Sequence, residues 1–350
     1  MSSAATTEED FTVRIGTRRS ALAIRQTELV IEGLSKVHPR VKFEIDAMAT
    51  AGDRDKVTPL PAMGKGLWTN ELEAKLMNNE VDIIVHSLKD MPTSLPEGCV
   101  LACIPVREDP RDVVVFPKRQ EGKYKKLADL PKGSVVGTSS VRRAAQLKRR
   151  YPGLVFRDVR GNIDTRLRKC DDEAEGYDAI ILAAAGLLRL GYDERISQFL
   201  ESSTEGGGLL HAVGQGGLGI EAREGDEKVL ALLKAIEHTP SMLAGFTERS
   251  VMRTLEGGCS VPIGVETDWV EEEDDSGSKK KKLRLRATVV SLDGKKAVDG
   301  ETVEEVASLA QADSVGKRLA QKLAGIGAQA ILDEINKGRE SGTALKVSDS

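Results

Sequence analysis

Short apolar runs alternate with amphipathic stretches along most of this chain. Val13 to Gly16 reads as a strand, and the segment from about Ser20 to Val37 carries helical spacing and ends before Pro39. Val41 to Met48 alternates like a second strand, Leu67 to Asn78 has a helical period, and Val81-Asp-Ile-Ile-Val85 is short and apolar enough for a buried strand. A second unit repeats the plan. Ser134 to Gly137 is a strand, Val141 to Arg150 a helix, Leu154 to Val159 and Ala179 to Ala183 further strands. Strands alternating with helices predict α/β layers around largely parallel sheets. At 350 residues the chain exceeds what one core usually serves, so two or three domains are expected.

Three polar stretches interrupt the pattern. Residues 1–10 have neither a basic start nor an apolar core, which predicts a disordered tail rather than a secretory or transit signal, and the last ten residues read the same way. Glu271 to Lys282 sets an acidic block beside a basic one and predicts a solvated loop inserted between two strands. No stretch approaches the roughly 18 apolar residues of a membrane span. Aromatic residues are only 3%, too few for stacking platforms, and the net charge of -4 offers no global attraction to nucleic acid. Any anion site must therefore be built locally. The four cysteines (Cys99, Cys103, Cys170 and Cys259) lack zinc-site spacing, as do the four histidines, so no metal and reduced, cytoplasmic thiols are expected.

Two strand exits resemble each other. Gly16-Thr-Arg-Arg-Ser-Ala21 and Gly137-Thr-Ser-Ser-Val-Arg-Arg143 both run from a strand through Gly-Thr and hydroxyl residues into a helix, with paired arginines. Serine or threonine caps the helix start, and the free N–H groups there, with the positive end of the dipole, favour anions. Arginine adds a bidentate grip on carboxylate or phosphate. Arg160-Gly-Asn-Ile-Asp-Thr-Arg166 and Gly186-Leu-Leu-Arg189 add further guanidiniums after strand ends. Lys89 and Asp90 follow the buried strand 81–85, where open α/β sheets place their chemistry. Cys259, in Gly257-Gly-Cys-Ser-Val-Pro262, lies in a loop whose glycines leave room beside the sulfur, although a turn cysteine with no function has the same look. His86 reads as a structural imidazole. Gly206-Gly-Gly208 and Gly214-Gln-Gly-Gly217 lack the ending of a phosphate loop and read as hinge or crossover glycines, while Ala51 to Gly66 reads as a mobile lid.

Seven motifs in register carry a resemblance. Gly16-Thr-Arg-Arg-Ser-Ala-Leu-Ala23, Gly64-Lys-Gly-Leu67, His86-Ser-Leu-Lys-Asp-Met-Pro92, Gly137-Thr-Ser-Ser-Val-Arg-Arg143, Arg160-Gly-Asn-Ile-Asp-Thr-Arg166, Ala212-Val-Gly-Gln-Gly216 and Leu255-Glu-Gly-Gly-Cys259 together resemble the porphobilinogen deaminase (hydroxymethylbilane synthase) family, from about residue 11 to 340. The charged 271–282 stretch is the main departure.

The resemblance implies two α/β domains like the lobes of a type II periplasmic binding protein, with the site between them, plus a smaller α+β third domain. The divisions it implies are 11–111 with 215–236, 112–214, and 237–345. It implies a heme-pathway transferase that joins four porphobilinogen units head to tail, losing ammonia each time, on a dipyrromethane cofactor held through a thioether to Cys259. Asp90 takes the catalytic place. Lys89, Thr138, Ser140, Arg142, Arg143, Arg166 and Arg189 fall to the cofactor, and Arg18, Ser20, Arg160 and Arg166 to the substrate and growing pyrrole chain. The acetate and propionate arms of each pyrrole suit guanidinium partners. A cytoplasmic monomer without nucleic-acid or membrane partners is expected. The competing reading is a non-catalytic two-lobed solute-binding protein for a small dicarboxylate or phosphate, which leaves Cys259 and the third domain without a role.

Overall fold

The computed structural model describes residues 11–50, 69–203, 208–255, 261–273 and 279–340. Cys259, the Gly64–Leu67 motif, the expected lid 51–66, Gly206 and Gly207, and both polar tails lie outside the described residues.

The first sheet has the order β2-β1-β3-β10-β4. It comprises β1 (Thr12–Arg18), β2 (Lys42–Met48), β3 (Ile83–Ser87), β4 (Cys99–Cys103) and, from far along the chain, β10 (Leu218–Arg223). The second is built from β5 (Asp112–Val115), β6 (Val135–Gly137), β7 (Val155–Arg157), β8 (Ala179–Ala183) and β9 (Gln198–Leu200), ordered β7-β6-β8-β5-β9. The two sheets are the same arrangement. In each, the first strand pairs in parallel with the second and third, and a single antiparallel strand, β10 or β5, lies between the third strand and the edge. That odd strand is in each case the one into which the chain runs on crossing from the other sheet.

The repeat extends to side chains. Asp82 accepts from the Arg14 N–H at 2.8 Å while its own N–H donates to the Arg14 carbonyl at 2.8 Å. Asp178 makes the same reciprocal pair with Val135, also at 2.8 Å both ways. An aspartate before the third strand thus latches the start of the first strand in both sheets. Helices cover the faces: α1 (Ala21–Val37), α2 (Asn70–Met77) and α6 (Glu227–Lys234) on the first sheet, and α3 (Val141–Arg150), α4 (Ile163–Asp171) and α5 (Ala184–Arg189) on the second. Each sheet therefore buries both faces, Val13, Ile15, Ile83 and Ile220 on one side of the first and Ile84, Leu72 and Leu76 on the other. Such two-sided burial is why these strands read as continuous apolar runs.

The third unit is an antiparallel meander, β11 (Ile263–Glu273), β12 (Lys279–Val290) and β13 (Ala297–Glu304), packed against α7 (Thr239–Thr254), α8 (Leu309–Leu323) and α9 (Gln329–Glu340). Here one expectation fails. The charged stretch 271–282 is not a loop where it is described, because Glu271, Glu272 and Glu273 pair in register with Lys281, Lys280 and Lys279 as continuations of β11 and β12. Opposite charges facing across an antiparallel ladder attract, so polar composition here extends the strands instead of ending them.

Two segments cross between the α/β sheets, 104–111 outward and 208–217 back, and they are bonded to each other. Arg107 Nε donates to the Gln215 carbonyl at 2.8 Å, Gln215 Nε2 to the Pro110 carbonyl at 2.7 Å, and the Glu108 N–H to the Gly216 carbonyl at 3.2 Å. Gly214 and Gly216 have φ of 72° and 83° there, and a side chain on Gly214 would meet Leu88 at 2.8 Å. The third unit clasps this crossing. Glu248 of α7, fully buried, takes both guanidinium ends of Arg107 at 2.6 and 3.0 Å and the Gly214 N–H at 2.8 Å.

Candidate active site

The site assembles at the carboxyl ends of the first sheet's β1 and β3 and their counterparts β6 and β8. Ser20 caps α1, its Oγ accepting from the Ala23 N–H at 3.3 Å, and Ser140 caps α3 by accepting from the Arg143 N–H at 3.4 Å. Both helix starts are therefore as the sequence predicts. The arginine pairs are not equivalent, however. Arg18 ends β1 and Arg19 precedes the cap, whereas Arg142 and Arg143 form the first turn of α3. Arg18 and Ser20 are half-buried.

After β3 the chain makes one tight turn, Leu88–Asp90, anchored by the buried Leu88 whose N–H donates to the Gly217 carbonyl at 3.0 Å. This leaves Lys89 and Asp90 half-buried at the strand end. Burial pushes the Lys89 ammonium down to about 8. Asp90 and Asp112 oppose that shift, while Arg143 and Arg166 reinforce it. Groups from both sheets are thus within electrostatic reach of one amine. From the far side, Arg249 of α7 donates to the carbonyls of Met91, at 3.1 Å, and Pro92, and Arg253 donates to that of Thr93 at 3.3 Å. The helix that leads toward Cys259 is in this way fastened to the residues just after Asp90.

On the second sheet, Arg142 and Arg143 share one carboxylate. Asp112, fully buried, accepts from Arg142 Nη1 at 2.7 Å, from Arg143 Nε at 2.9 Å and from Gln215 Nε2 at 2.9 Å, with Arg143 Nη2 2.7 Å from Oδ1 in the same ion pair. Burial works to raise the Asp112 pKa, but the two guanidiniums outweigh it and hold the carboxyl well below the usual range. Arg166 donates from Nε to the Gly161 carbonyl at 2.6 Å, and burial helped by Arg143 pushes it down to about 10, against Asp90. Arg189 reaches across to the Gly216 carbonyl of the return crossing at 2.6 Å and is likewise lowered by burial to about 10. Arg160 pairs with Asp158 at 3.1 Å, and the buried Thr138 accepts from the Ser140 N–H at 3.2 Å.

Lys89, Asp90, Arg142, Arg143 and Arg166 converge; Arg160 and Arg18 are held at other strand ends. Four cations (Lys89, Arg142, Arg143 and Arg166) face two carboxylates (Asp90 and Asp112). That surplus of positive charge fits a ligand carrying several carboxylates, as the chemistry of dipyrromethane requires. Sequence reasoning missed Asp112, Gln215 and Arg249. An acid opening the apolar run Asp112-Val-Val-Val115 was a legible oddity, but its partners lie 30 and 31 positions away. His86 behaves as expected, its Nε2 at 2.9 Å from the buried Glu221. His211 is buried, which drives its pKa down to about 4 against the pull of Glu248. Among the described residues, no group of three or more His, Cys, Asp or Glu is arranged to hold a metal ion, and no helix is long and apolar enough to cross a membrane.

Comparison with known proteins decides the family. Residues 13–231 match the domain described as "Porphobilinogen deaminase, dipyromethane cofactor binding domain", and 242–325 match "Porphobilinogen deaminase, C-terminal domain". The chain belongs to the porphobilinogen deaminase family. Relatives include the Porphobilinogen deaminase of Neurospora crassa, 63% identical over 98% of this chain and 99% of that protein, and that of Saccharomyces cerevisiae, 48% identical over 94% and 98%. Among solved structures, the methionine binding protein MetQ is similar at a TM-score of 0.38 and 13% identity, over 68% of this chain and 94% of that one. The family's cofactor-binding domain spans both α/β sheets described above, so the Lys89, Asp90 and arginine cluster lies within it.

Proposed function

We propose that this member of the family is a transferase that joins four porphobilinogen molecules head to tail into hydroxymethylbilane, releasing one ammonia per addition, with Cys259 holding the dipyrromethane. When bound, that group supplies the terminal pyrrole carbon to which the first substrate is joined. The observation that carries the assignment of roles is the convergence of Lys89 and Asp90 from one sheet with Arg142, Arg143 and Arg166 from the other.

Each residue's part follows from its chemistry. Asp90 is the single carboxylate of the cluster not already clamped by two guanidiniums. It accepts the pyrrole N–H groups and holds or returns a proton as positive charge rises on the ring nitrogen. Lys89, Arg142, Arg143, Arg166 and Arg189, with Thr138 and Ser140 at the start of α3, hold acetate and propionate arms on the cofactor side. Arg18, Ser20, Arg160 and Arg166 meet the incoming and growing chain. Arg249 and Arg253 brace the Met91–Thr93 backbone, so that Asp90 keeps its place while the ligand lengthens. The membership of β10 in the first sheet and β5 in the second supports domains of 11–111 with 215–236, and 112–214, followed by 237–345. The buried Cys99, Cys103 and Cys170, their thiols raised to about 12 by burial, support a reduced, cytoplasmic enzyme, which we take to be monomeric. A solute-binding protein is not favoured by the family match over both domains.

Intact-mass measurement of the purified chain tests the covalent link. The native protein is expected to carry an adduct that Cys259→Ser lacks, together with loss of porphobilinogen consumption. An unmodified, active native chain would end the proposal.

A further inference from the structure

Asp112 opens β5, the strand that enters the second sheet from the first. Its carboxylate is held on both oxygens: Oδ1 accepts from Arg143 Nε and Gln215 Nε2, Oδ2 accepts from Arg142 Nη1, and Arg143 Nη2 completes the ion pair. The Asp112 side chain is fully buried beneath these partners, so it has no exposed oxygen to offer a ligand N–H. It is also held ionised by its arginines, which removes it as a proton donor or acceptor in turnover. Yet nothing about chain architecture requires a charge here. The corresponding antiparallel strand of the first sheet, β10, begins with Leu218.

We propose that Asp112 is the positioning residue of the arginine grip, fixing Arg142 and Arg143 as one rigid pair and registering that pair to both crossing segments. The proposal rests on the reading of Arg142 and Arg143 as carboxylate grips. A free arginine has many rotamers, whereas a guanidinium pinned along one edge presents its remaining N–H groups in a fixed direction. Further bonds complete the pinning: Arg142 Nη1 donates to the Leu210 carbonyl at 2.7 Å and Arg143 Nη1 to the Ile181 carbonyl at 2.9 Å. Gln215 belongs to the return crossing and also donates to the Pro110 carbonyl of the outward one. One carboxylate therefore joins the grip, the outgoing strand and the returning segment. Any change in how the two crossings lie against each other is passed to the direction in which the arginines point.

The full-length protein and its Asp112→Asn and Asp112→Glu variants separate positioning from bulk structure. The readouts are kcat and KM for porphobilinogen against pH, normalised to the adduct-bearing fraction by intact mass. Asp112→Asn is expected to lower kcat per adduct-bearing molecule about 100-fold, the cost of misplacing a reacting group by about an ångström, with KM changed much less. Loss of the Lys89 cation as pH rises should give the enzyme an alkaline limb near pH 8, and in Asp112→Asn that limb should move to lower pH. Among the charges acting on Lys89, Asp112 and Asp90 support the ammonium while Arg143 and Arg166 oppose it, so loss of Asp112 weakens the support. Asp112→Glu should restore the limb but not kcat, since the charge returns one methylene out of place. If Asp112→Asn does not fold, Asp112→Glu alone decides. Wild-type kcat per adduct-bearing molecule with an unmoved limb in either folded variant would overturn the proposal. A wild-type chain that neither carries an adduct nor consumes porphobilinogen would instead overturn the reading of the site beneath it, and the proposal with it.

Discussion

The two α/β sheets share strand order, capping serines and an aspartate latch, yet they hold their charges in opposite ways. In the first, Asp82 gathers Arg14 and Arg223 at the start of β3, the end of the sheet away from Asp90, and the Arg14 side chain is 41% exposed. In the second, Asp112 gathers Arg142 and Arg143 at the site end, with side chains 5% and 7% exposed. The same topology thus carries a clamp open to solvent on its Arg14 side in one case and a fully desolvated one in the other. Fold repetition fixes where a strand ends; it does not fix what charge is placed there.

The sharpest way to break that comparison is at Asp90, which the first sheet contributes without a clamp of its own. Asp90→Ala is expected to lower kcat by roughly 10²- to 10⁴-fold, the range of a general acid–base group, while the melting temperature stays near wild type. Retention of a near-normal rate in steady-state assays would move the chemistry to the second sheet.

The next effect is pH dependence through Lys89, the amine that both sheets influence. With its pKa lowered to about 8, the cation that holds a carboxylate arm is lost as pH rises through that value, so activity should fall on the alkaline side with a midpoint near it. Lys89→Met should remove this limb, which a pH-rate profile would detect. The stability effect has the opposite sign. Because folding lowers this pKa from 10.5, the unfolded chain binds the extra proton between about 8 and 10.5, and Lys89's contribution to stability rises with pH across that window. The smallest effect belongs to the exposed clamp. Arg14→Ala should cost about 1 kcal/mol or less in denaturant unfolding and leave kcat unchanged, as a screened surface pair does. A loss of activity there would show that the first sheet's clamp reaches the site after all.

Much of this arrangement was legible in local sequence. The alternation of apolar runs with helical periods located the parallel strands β1–β3 and β6–β8, though not β4, β5, β9 or β10, and Ser20 and Ser140 marked helix starts that their hydroxyls do cap. Lys89 and Asp90 stood out by their place after a buried strand, and they do lie in the turn at the end of β3. The charged stretch 271–282 was misread because block charge usually means solvated loop, and only cross-strand registration turns Glu271–Glu273 and Lys279–Lys281 into mutual partners. The roles within the arginine set were also hidden. Arg142 and Arg143 look like Arg18 and Arg19 in sequence, and nothing local announces that the former pair meets the buried carboxylate of Asp112.

Periodicity, capping and strand-end placement are near-neighbour effects, acting within a turn or two of helix or along one strand, and so the amino-acid order alone determined them here. Which charges meet was decided only when β5 crossed into the second sheet, bringing Asp112 beneath α3, and when the return crossing brought Gln215 to the same oxygen. The reason is energetic. A buried ion pair is worth forming only where folding removes water from both partners at once, and that removal belongs to the packed tertiary structure.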